Sequence, residues 1–323
     1  MKQAFSGNLL WQAIAILSAG KLLFAIQDVI IKEMSGGYPV HQIMSVRGLA
    51  ALPILLLLIH LNGGLGMLRR HRATLHLVRG TLMLIAFMCF YVALAGTSLT
   101  TATALFFTAP FFITLLSIPL LGEAVGWRRF ASIGIGFVGV LIVLRPSADA
   151  FSYYDLLPIL AAFFYACCQL MVRVLKMSEP LALMSLYAAL AFFVLGAISG
   201  LVLTVAAPTL DVDSSSQFQF LLRAWTWPNT GDLLLMMMTG LTSALGFMCS
   251  SAAYQREQAS LVAPFEYVMI IWVTGLSYLV WSELPDLQTL LGVTLIIASG
   301  IYVIRRENQL AARTRAYAGL TRR

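Results

Sequence analysis

Apolar stretches long enough to cross a lipid bilayer recur along the whole chain, and short polar segments separate them. A helix needs about 20 apolar residues to span the hydrocarbon core of a bilayer. Of the 323 residues, 60% are hydrophobic and 11% are charged, which leaves a soluble globule too little polar surface to cover its outside. The sequence therefore predicts an all-α integral membrane protein and argues against a soluble enzyme or a disordered chain.

Ten transmembrane helices are predicted from the apolar runs and the residues that interrupt them. In the first half, the runs are Leu10–Lys32, Val40–Leu61, Leu75–Gly96, Thr100–Leu121 and Phe130–Leu144. In the second half, they are Tyr154–Lys176, Leu181–Ala206, Leu233–Ala253, Ser260–Trp281 and Leu287–Ile304. The first run continues to Ile31 without a small-residue cleavage site, so we expect a retained helix rather than a signal peptide.

The positions of the lysine and arginine residues predict the orientation. If the N-terminus is cytoplasmic, only Lys32, Arg145 and Arg223 fall in outside segments, and Lys21 and Arg47 fall within spans. The other basic residues then lie in cytoplasmic loops, in the cytoplasmic ends of spans and in the C-terminal tail, as the positive-inside rule requires. Both termini are therefore predicted to be cytoplasmic. This topology explains the net charge of +7 without a nucleic-acid partner.

One outer connector, about residues 207–232, is much longer than the others. It carries Trp225 and Trp227, and tryptophans concentrate at membrane interfaces. We expect a short helix that lies in the outer interface and anchors the connector. A substrate gate is the alternative function for this segment.

The two halves of the sequence resemble each other. Ile43–Ala50 resembles Leu183–Leu190, and Glu123 and Glu283 each end a span and precede an arginine by 22 residues. Because each half has five predicted helices, the second half must insert upside down, as in the inverted repeats of secondary transporters. We expect a first repeat over residues 1–150, a second over residues 151–306, and a basic cytoplasmic tail over residues 307–323.

Two matching segments, one in each half, identify a family resemblance. They are residues 101–111 with their continuation to Glu123, and residues 259–267 with their continuation to Glu283, where Ser282 replaces the Gly122 of the first half. In these segments the chain resembles the EamA-type members of the drug/metabolite transporter superfamily. The resemblance implies a monomeric or homodimeric carrier of the bacterial inner (plasma) membrane that exports or exchanges small organic molecules without ATP.

Ionisable side chains at membrane depth are costly and therefore indicate function. The first helix places Lys21, Phe24 and Asp28 on one face, and Glu266 follows Pro264 in the ninth. The predicted substrate-binding residues are Lys21, Phe24, Asp28, Tyr91, Tyr165, Gln169, Glu266, Tyr267 and Trp272. Glu266 and Asp28 are also candidates for proton coupling. The alternatives are a structural ion pair near the membrane interface for Lys21 and Asp28, and a fixed pair with Lys21 or Arg47 for Glu266.

Other motifs carry no catalytic or metal chemistry. Gly134–Gly139 reads GxGxxG but lies inside an apolar span, so we expect close helix packing rather than a dinucleotide site. The four cysteines lie within apolar stretches, and we expect neither a metal nor a cofactor. The predicted function is secondary transport, by alternating access, of a small amphipathic metabolite such as an amino acid, an amine or a cofactor-like compound. The alternative is a membrane protein that does not transport, such as a lipid scramblase or a partner scaffold.

Overall fold

A computed structural model describes residues 7–34, 36–64, 66, 73–93, 99–144, 153–175, 180–206, 223–282 and 285–320. All regular secondary structure within these residues is helical, which confirms the all-α prediction. The first-half helices are α1 (Gly7–Met34), α2 (Val40–Gly63), α3 (Ala73–Ala93), α4 (Leu99–Phe106), α5 (Ala109–Leu121) and α6 (Trp127–Leu144). The second-half helices are α7 (Leu156–Val174), α8 (Leu181–Ala206), α9 (Thr230–Arg256), α10 (Ala259–Val262), α11 (Val268–Trp281) and α12 (Leu287–Leu320). Two 3₁₀ segments, Tyr153–Asp155 and Ala263–Tyr267, complete the described elements.

Within the described ranges, nine segments are long and apolar enough to cross a membrane. Helices α4 and α5 together provide one of them, Ala102–Leu121, and Ala259–Val280 joins α10, the second 3₁₀ segment and most of α11. The third predicted span corresponds to the shorter apolar stretch Thr74–Phe90 within α3. The chain is therefore an integral membrane protein with many spans.

Several helix ends differ from the predicted span ends, and two of them show why. Helix α6 begins at Trp127 rather than Phe130, and α12 continues to Leu320 rather than ending near Ile304. Hydropathy marks where a chain leaves the hydrocarbon, whereas a helix continues as long as its residues favour helical backbone. The segment beyond Ile304 is rich in alanine and arginine, which are good helix formers.

Proline interrupts the helices in two of the spans. Pro110 lies at the start of α5, immediately after the break between α4 and α5, and Pro264 lies in the 3₁₀ segment Ala263–Tyr267. Proline has no backbone N–H and cannot continue the hydrogen-bond ladder of an α-helix. Both prolines therefore lie where the α-helix is interrupted, and the second interruption places Glu266 on a non-α-helical turn within its span.

The helices pack in recurring pairs across the two halves of the chain. Helix α2 packs on α8, α1 on α9, α3 on α7, and α6 on α12. Glycine allows close contact in the last pair, because a Cβ atom on Gly139 would lie 2.6 Å from the carbonyl oxygen of Gly292. A Cβ atom on Gly136 would lie 2.7 Å from the ring of Tyr267. The prediction that the GxGxxG run serves helix packing is confirmed.

The end of the long connector forms an extended strap, residues 223–229, across one end of α2. Trp225 Nε1 donates a hydrogen bond to His41 Nδ1 at 2.7 Å, and the Gln42 side chain exchanges two hydrogen bonds with the backbone of Thr226. The side chain of Trp227 is 99% exposed. The predicted interfacial helix is wrong for the part that carries both tryptophans, because side-chain contacts with α2 hold this part in a non-helical conformation.

A second tie lies beside the strap, at the start of α9. The Tyr38 hydroxyl donates a hydrogen bond of 2.6 Å to the Asp232 carboxylate, which raises the pKa of Tyr38 above its usual value. Asn229 caps α9, since its side-chain oxygen accepts from the backbone N–H of Asp232 at 2.8 Å. These contacts fix the start of α9 against the loop between α1 and α2.

The strap gives a first testable prediction. We expect Trp225→Ala to increase the rate of tryptic cleavage after Arg223 by about fivefold, since a lost hydrogen bond of about 1 kcal/mol makes local opening that much more frequent. Arg223 is the single basic residue between positions 207 and 232, so mass spectrometry of the fragment that ends there measures the rate. The matched control is Trp227→Ala, which removes the same side chain from an exposed position. Equal cleavage rates in the two variants would contradict the anchoring role of Trp225.

Candidate transport site

A buried ion pair lies at the centre of the helix bundle. Lys21 of α1 pairs with Glu266 of the 3₁₀ segment, and the two residues are 5% and 4% exposed. The hydroxyl of Tyr254 donates to Glu266 Oε1 at 2.8 Å, and the hydroxyl of Tyr165 donates to Oε2 at 3.2 Å. Gln169 Nε2 donates to the Tyr165 hydroxyl oxygen at 2.6 Å. These five side chains, from α1, α7, α9 and the 3₁₀ segment, form what we call the central cluster.

The central cluster balances its own charge. An ammonium group and two hydroxyl groups point to one carboxylate, so both oxygens of Glu266 accept hydrogen bonds in a site closed to water. Buried charges need this degree of pairing, because leaving one unpaired costs several kcal/mol. The fixed pair with Lys21, one of the alternatives left open by the sequence, is the arrangement observed here.

Aromatic rings extend from the central cluster in two directions. The Lys21 ammonium lies 5.7 Å from the ring centroids of both Phe24 and Tyr165, within the range of a cation–π interaction. The rings then follow one another at centroid distances of 5.1 Å from Phe24 to Phe247 and 6.0 Å from Phe247 to Phe192. On the other side, the ring of Phe106 lies 5.4 Å from that of Tyr165. The charged pair is therefore flanked by faces suited to a flat apolar group.

Asp28 and Arg47 provide a second set of charges. Asp28 lies two helical turns from Lys21 on the same face of α1, but it is exposed whereas Lys21 is buried. Arg47 and Lys21 are the cations that interact electrostatically with Asp28. The guanidinium carbon of Arg47 lies 4.2 Å from the ring centroid of Phe192, and the residue is 2% exposed. This stacking makes Arg47 a tie between helices α2 and α8.

Three of the predicted site residues lie apart from the central cluster or outside the description. Trp272 Nε1 donates to Ser18 Oγ at 3.2 Å and so joins α11 to α1. Tyr267 is completely buried, and its ring packs against Phe107 and the backbone of Gly136. The side chain of Tyr91 falls outside the described part of the chain. Lys21, Tyr165, Gln169 and Glu266 come together as the cluster, and the ring of Phe24 flanks it.

Sequence reasoning missed Tyr254. It is 12 residues before Glu266, but the chain turns between α9 and α10, so helical periodicity gives no relation between the two positions. A tyrosine within an apolar helix is also an ordinary core residue. The signal that identifies Tyr254 is its hydrogen bond to a buried carboxylate, which only the tertiary structure provides.

A second polar network, which we call the Glu123 network, was also missed. Glu123 accepts hydrogen bonds from the backbone N–H groups of Ala259 and Ser260, at 2.8 and 3.0 Å, and from Ser260 Oγ at 2.6 Å. Arg173 Nε lies 3.7 Å from Glu123 Oε1, and Arg129 Nη1 donates to Ser260 Oγ at 2.7 Å. The sequence marked Glu123 only as the end of a span.

Comparisons with known proteins agree with this architecture. Residues 10–145 match the EamA-like transporter family. The S-adenosylmethionine uptake transporter of Rickettsia felis is 26% identical over 77% of this chain and 78% of its own length. The pseudopaline exporter of Pseudomonas aeruginosa is 27% identical over 93% and 98%, and the riboflavin transporter of Vibrio cholerae is 29% identical over 95% and 97%. A solved crystal structure shares the fold, with a TM-score of 0.72 and 18% identity over 94% of this chain and 98% of that one.

These findings define the class of protein and show which family it resembles. The chain is a multi-pass protein of the bacterial inner membrane that transports a small metabolite. It is similar to the EamA-like transporter family over residues 10–145 and to transporters of small metabolites over most of its length. The predicted class, family resemblance and membrane location are thereby confirmed.

Proposed function

We propose that the protein is a secondary transporter that moves a small amphipathic zwitterion or amine by alternating access through the central cluster. The observation that carries this proposal is the buried Lys21–Glu266 pair, which lies between aromatic faces and on the same side of α1 as the exposed carboxylate of Asp28. A substrate ammonium group would pair with Asp28 first. It would then compete with Lys21 for Glu266, while the substrate's apolar part stacks on Phe24 and its neighbours.

Ten helices in two inverted five-helix repeats underlie this mechanism. In this arrangement α3 is the third span, and residues 1–150 and 151–306 are the repeats. The packing supports it. In the two repeats α1 corresponds to α7, α3 to α9 and α5 to α11. The observed α1–α9 contact therefore corresponds to the observed α7–α3 contact, and the α1–α11 contact corresponds to the α7–α5 contact. Exchanging the two halves leaves the α2–α8 and α6–α12 contacts unchanged. Cytoplasmic termini are supported by the basic residues of the loops and of the tail over residues 307–323.

The charges and the rings favour one substrate class. Lys21 balances Glu266, and Arg47 lies within electrostatic range of Asp28, so the site carries little net charge and suits a molecule with both signs or with one amine. S-adenosylmethionine and riboflavin, which relatives of this protein transport, each join a nitrogen heterocycle to a polar chain. The series of rings from Phe24 to Phe192 supports the binding of such a heterocycle. Asp28 and Glu266 are the groups we assign to proton coupling.

Counterflow in proteoliposomes tests the proposal. We expect saturable exchange for at least one member of a panel of amino acids, polyamines, S-adenosylmethionine, riboflavin and organic acids, and none in empty liposomes. Asp28→Asn should raise the half-saturation concentration about tenfold or more, because hydrogen bonds to charged groups contribute about 1.5–3 kcal/mol. The matched control Glu33→Gln removes a carboxylate from the exposed end of the same helix and should leave exchange unchanged.

Two outcomes would contradict the proposal. Equal half-saturation concentrations in Asp28→Asn and Glu33→Gln would show that Asp28 does not bind the substrate. Exchange of no compound, together with movement of labelled lipids between the leaflets, would identify the protein as a scramblase instead.

A further inference from the structure

The Glu123 network closes one end of the space between the helices. Glu123 follows α5 and is 7% exposed, yet its carboxylate reaches the first residues of α10 in the other half of the chain. Three donors converge on its two oxygens, and Arg129 donates to the hydroxyl of Ser260, which itself donates to Glu123. Charge-assisted hydrogen bonds are stronger than neutral ones, so this is a firm connection between the halves.

The segment held by Glu123 also carries Glu266. Residues 259–267, which are α10 and the 3₁₀ turn, have Ser260 near one end and Glu266 near the other. Lys21, Tyr165 and Tyr254 hold the Glu266 end, and Glu123 holds the Ser260 end. Tyr254 interacts electrostatically with both carboxylates. A short, fully buried segment thus connects the central cluster to the Glu123 network.

Exposure differs between the two ends of the bundle. Asp28 is exposed although it shares an inward face with the buried Lys21, so the space between the helices is open at the level of Asp28. The Glu123 network lies at the opposite end, beside Arg128 and Arg129 at the start of α6. In the proposed topology, those arginines mark the cytoplasmic side. In that topology, the exposed Asp28 lies on the outer side of the buried central cluster, and the buried Glu123 network lies on its cytoplasmic side.

We propose that Glu123 is the latch that closes the cytoplasmic end of the transport path, and that segment 259–267 links its release to Glu266 in the central cluster. This proposal rests on the proposed function. When a substrate amine displaces Lys21 from Glu266, the 3₁₀ turn loses the contact that fixes it to α1. The start of α10 then shifts away from Glu123, and water from the cytoplasm reaches the substrate.

Cysteine accessibility tests the latch without knowledge of the substrate. Ile14 lies seven residues before Lys21 on the same face of α1, so a cysteine there reports on the cytoplasmic half of the path. The four native cysteines are first replaced by alanine, and the Ile14→Cys protein is labelled with a membrane-impermeant maleimide in inside-out vesicles. We expect slow labelling in this reference protein, because the latch is closed.

Glu123→Gln should increase the labelling rate by about tenfold, a typical size for a shift between two conformations. Glutamine has one acceptor oxygen, and its NH₂ group would face N–H and O–H groups of residues 259 and 260, which are themselves donors. Ser260→Ala removes one of the three hydrogen bonds and should give a smaller increase. The matched control Glu257→Gln removes a carboxylate that also interacts with Arg173 but leaves the bonds to residues 259 and 260 in place. It should label at the reference rate.

The results separate the latch from the substrate proposal. The latch is overturned if Glu123→Gln and Ser260→Ala are both labelled at the rate of the reference protein while each elutes as a monodisperse folded protein. This conclusion holds even if counterflow succeeds. Equal increases in Glu123→Gln and Glu257→Gln would also overturn the latch, since charge removal alone would then be the cause. Faster labelling in Glu123→Gln supports the latch even where the panel contains no substrate.

Discussion

Glu266→Gln is expected to abolish transport and to lower the free energy of unfolding by about 3–5 kcal/mol, because Lys21 would remain charged in a buried site without its carboxylate. Glutamine offers a single acceptor oxygen where the ammonium and two tyrosine hydroxyls now converge on two. The loss of stability is measured by thermal unfolding in detergent, and the loss of transport by counterflow. The effect is large because the cluster is closed to water, which would otherwise compensate the charge.

A double variant separates the structural role of the pair from its transport role. Lys21→Met with Glu266→Gln removes both charges and keeps a long side chain at position 21. Replacing a whole buried ion pair is often neutral or stabilising, so we expect stability within about 1 kcal/mol of the natural protein. Transport should remain absent, because the substrate then has no charged group to displace. Recovery of both stability and transport would mean that the pair serves the fold alone.

Gly48→Ala is expected to give the second large effect, a clear loss of thermal stability. A Cβ atom at this position would lie 2.5 Å from the backbone nitrogen of Phe193 and 2.7 Å from the carbonyl oxygen of Ala189. These are backbone atoms of α8, which cannot rotate away as a side chain does, so α2 and α8 would have to separate. Such overpacking costs about 1–3 kcal/mol or more, which exceeds the gain of about 1 kcal/mol that alanine brings to a helix.

The control for this substitution is Gly134→Ala. It makes the same change inside another membrane helix, α6, at a position where a Cβ atom would meet nothing within 4 Å. Fluorescence-detected gel filtration measures the midpoint temperature of thermal aggregation. We expect this temperature to fall in Gly48→Ala and to stay the same or rise in Gly134→Ala. A similar midpoint in both variants would mean that the α2–α8 contact tolerates a wider spacing.

Much of the fold follows from one physical constraint. A bilayer requires long apolar helices, so hydropathy located nearly every described span, and proline explained the two interrupted ones. The cost of charge in the membrane likewise identified Lys21 and Glu266 as important. They are 245 positions apart, and no spacing rule joins them. Their pairing depends on how the 3₁₀ turn packs against α1.

The sequence by itself determined the class of protein, a family resemblance, the approximate spans and the ionisable positions that need an explanation. Only the tertiary structure decided which groups neutralise those charges, because hydrogen bonds between helices depend on packing and rotamers rather than on periodicity. Tyr254 and the network around Glu123 are therefore found by geometry alone. The strap shows the same limit, since Trp225 marks an interface in the sequence, but the hydrogen bond to His41 decides its conformation.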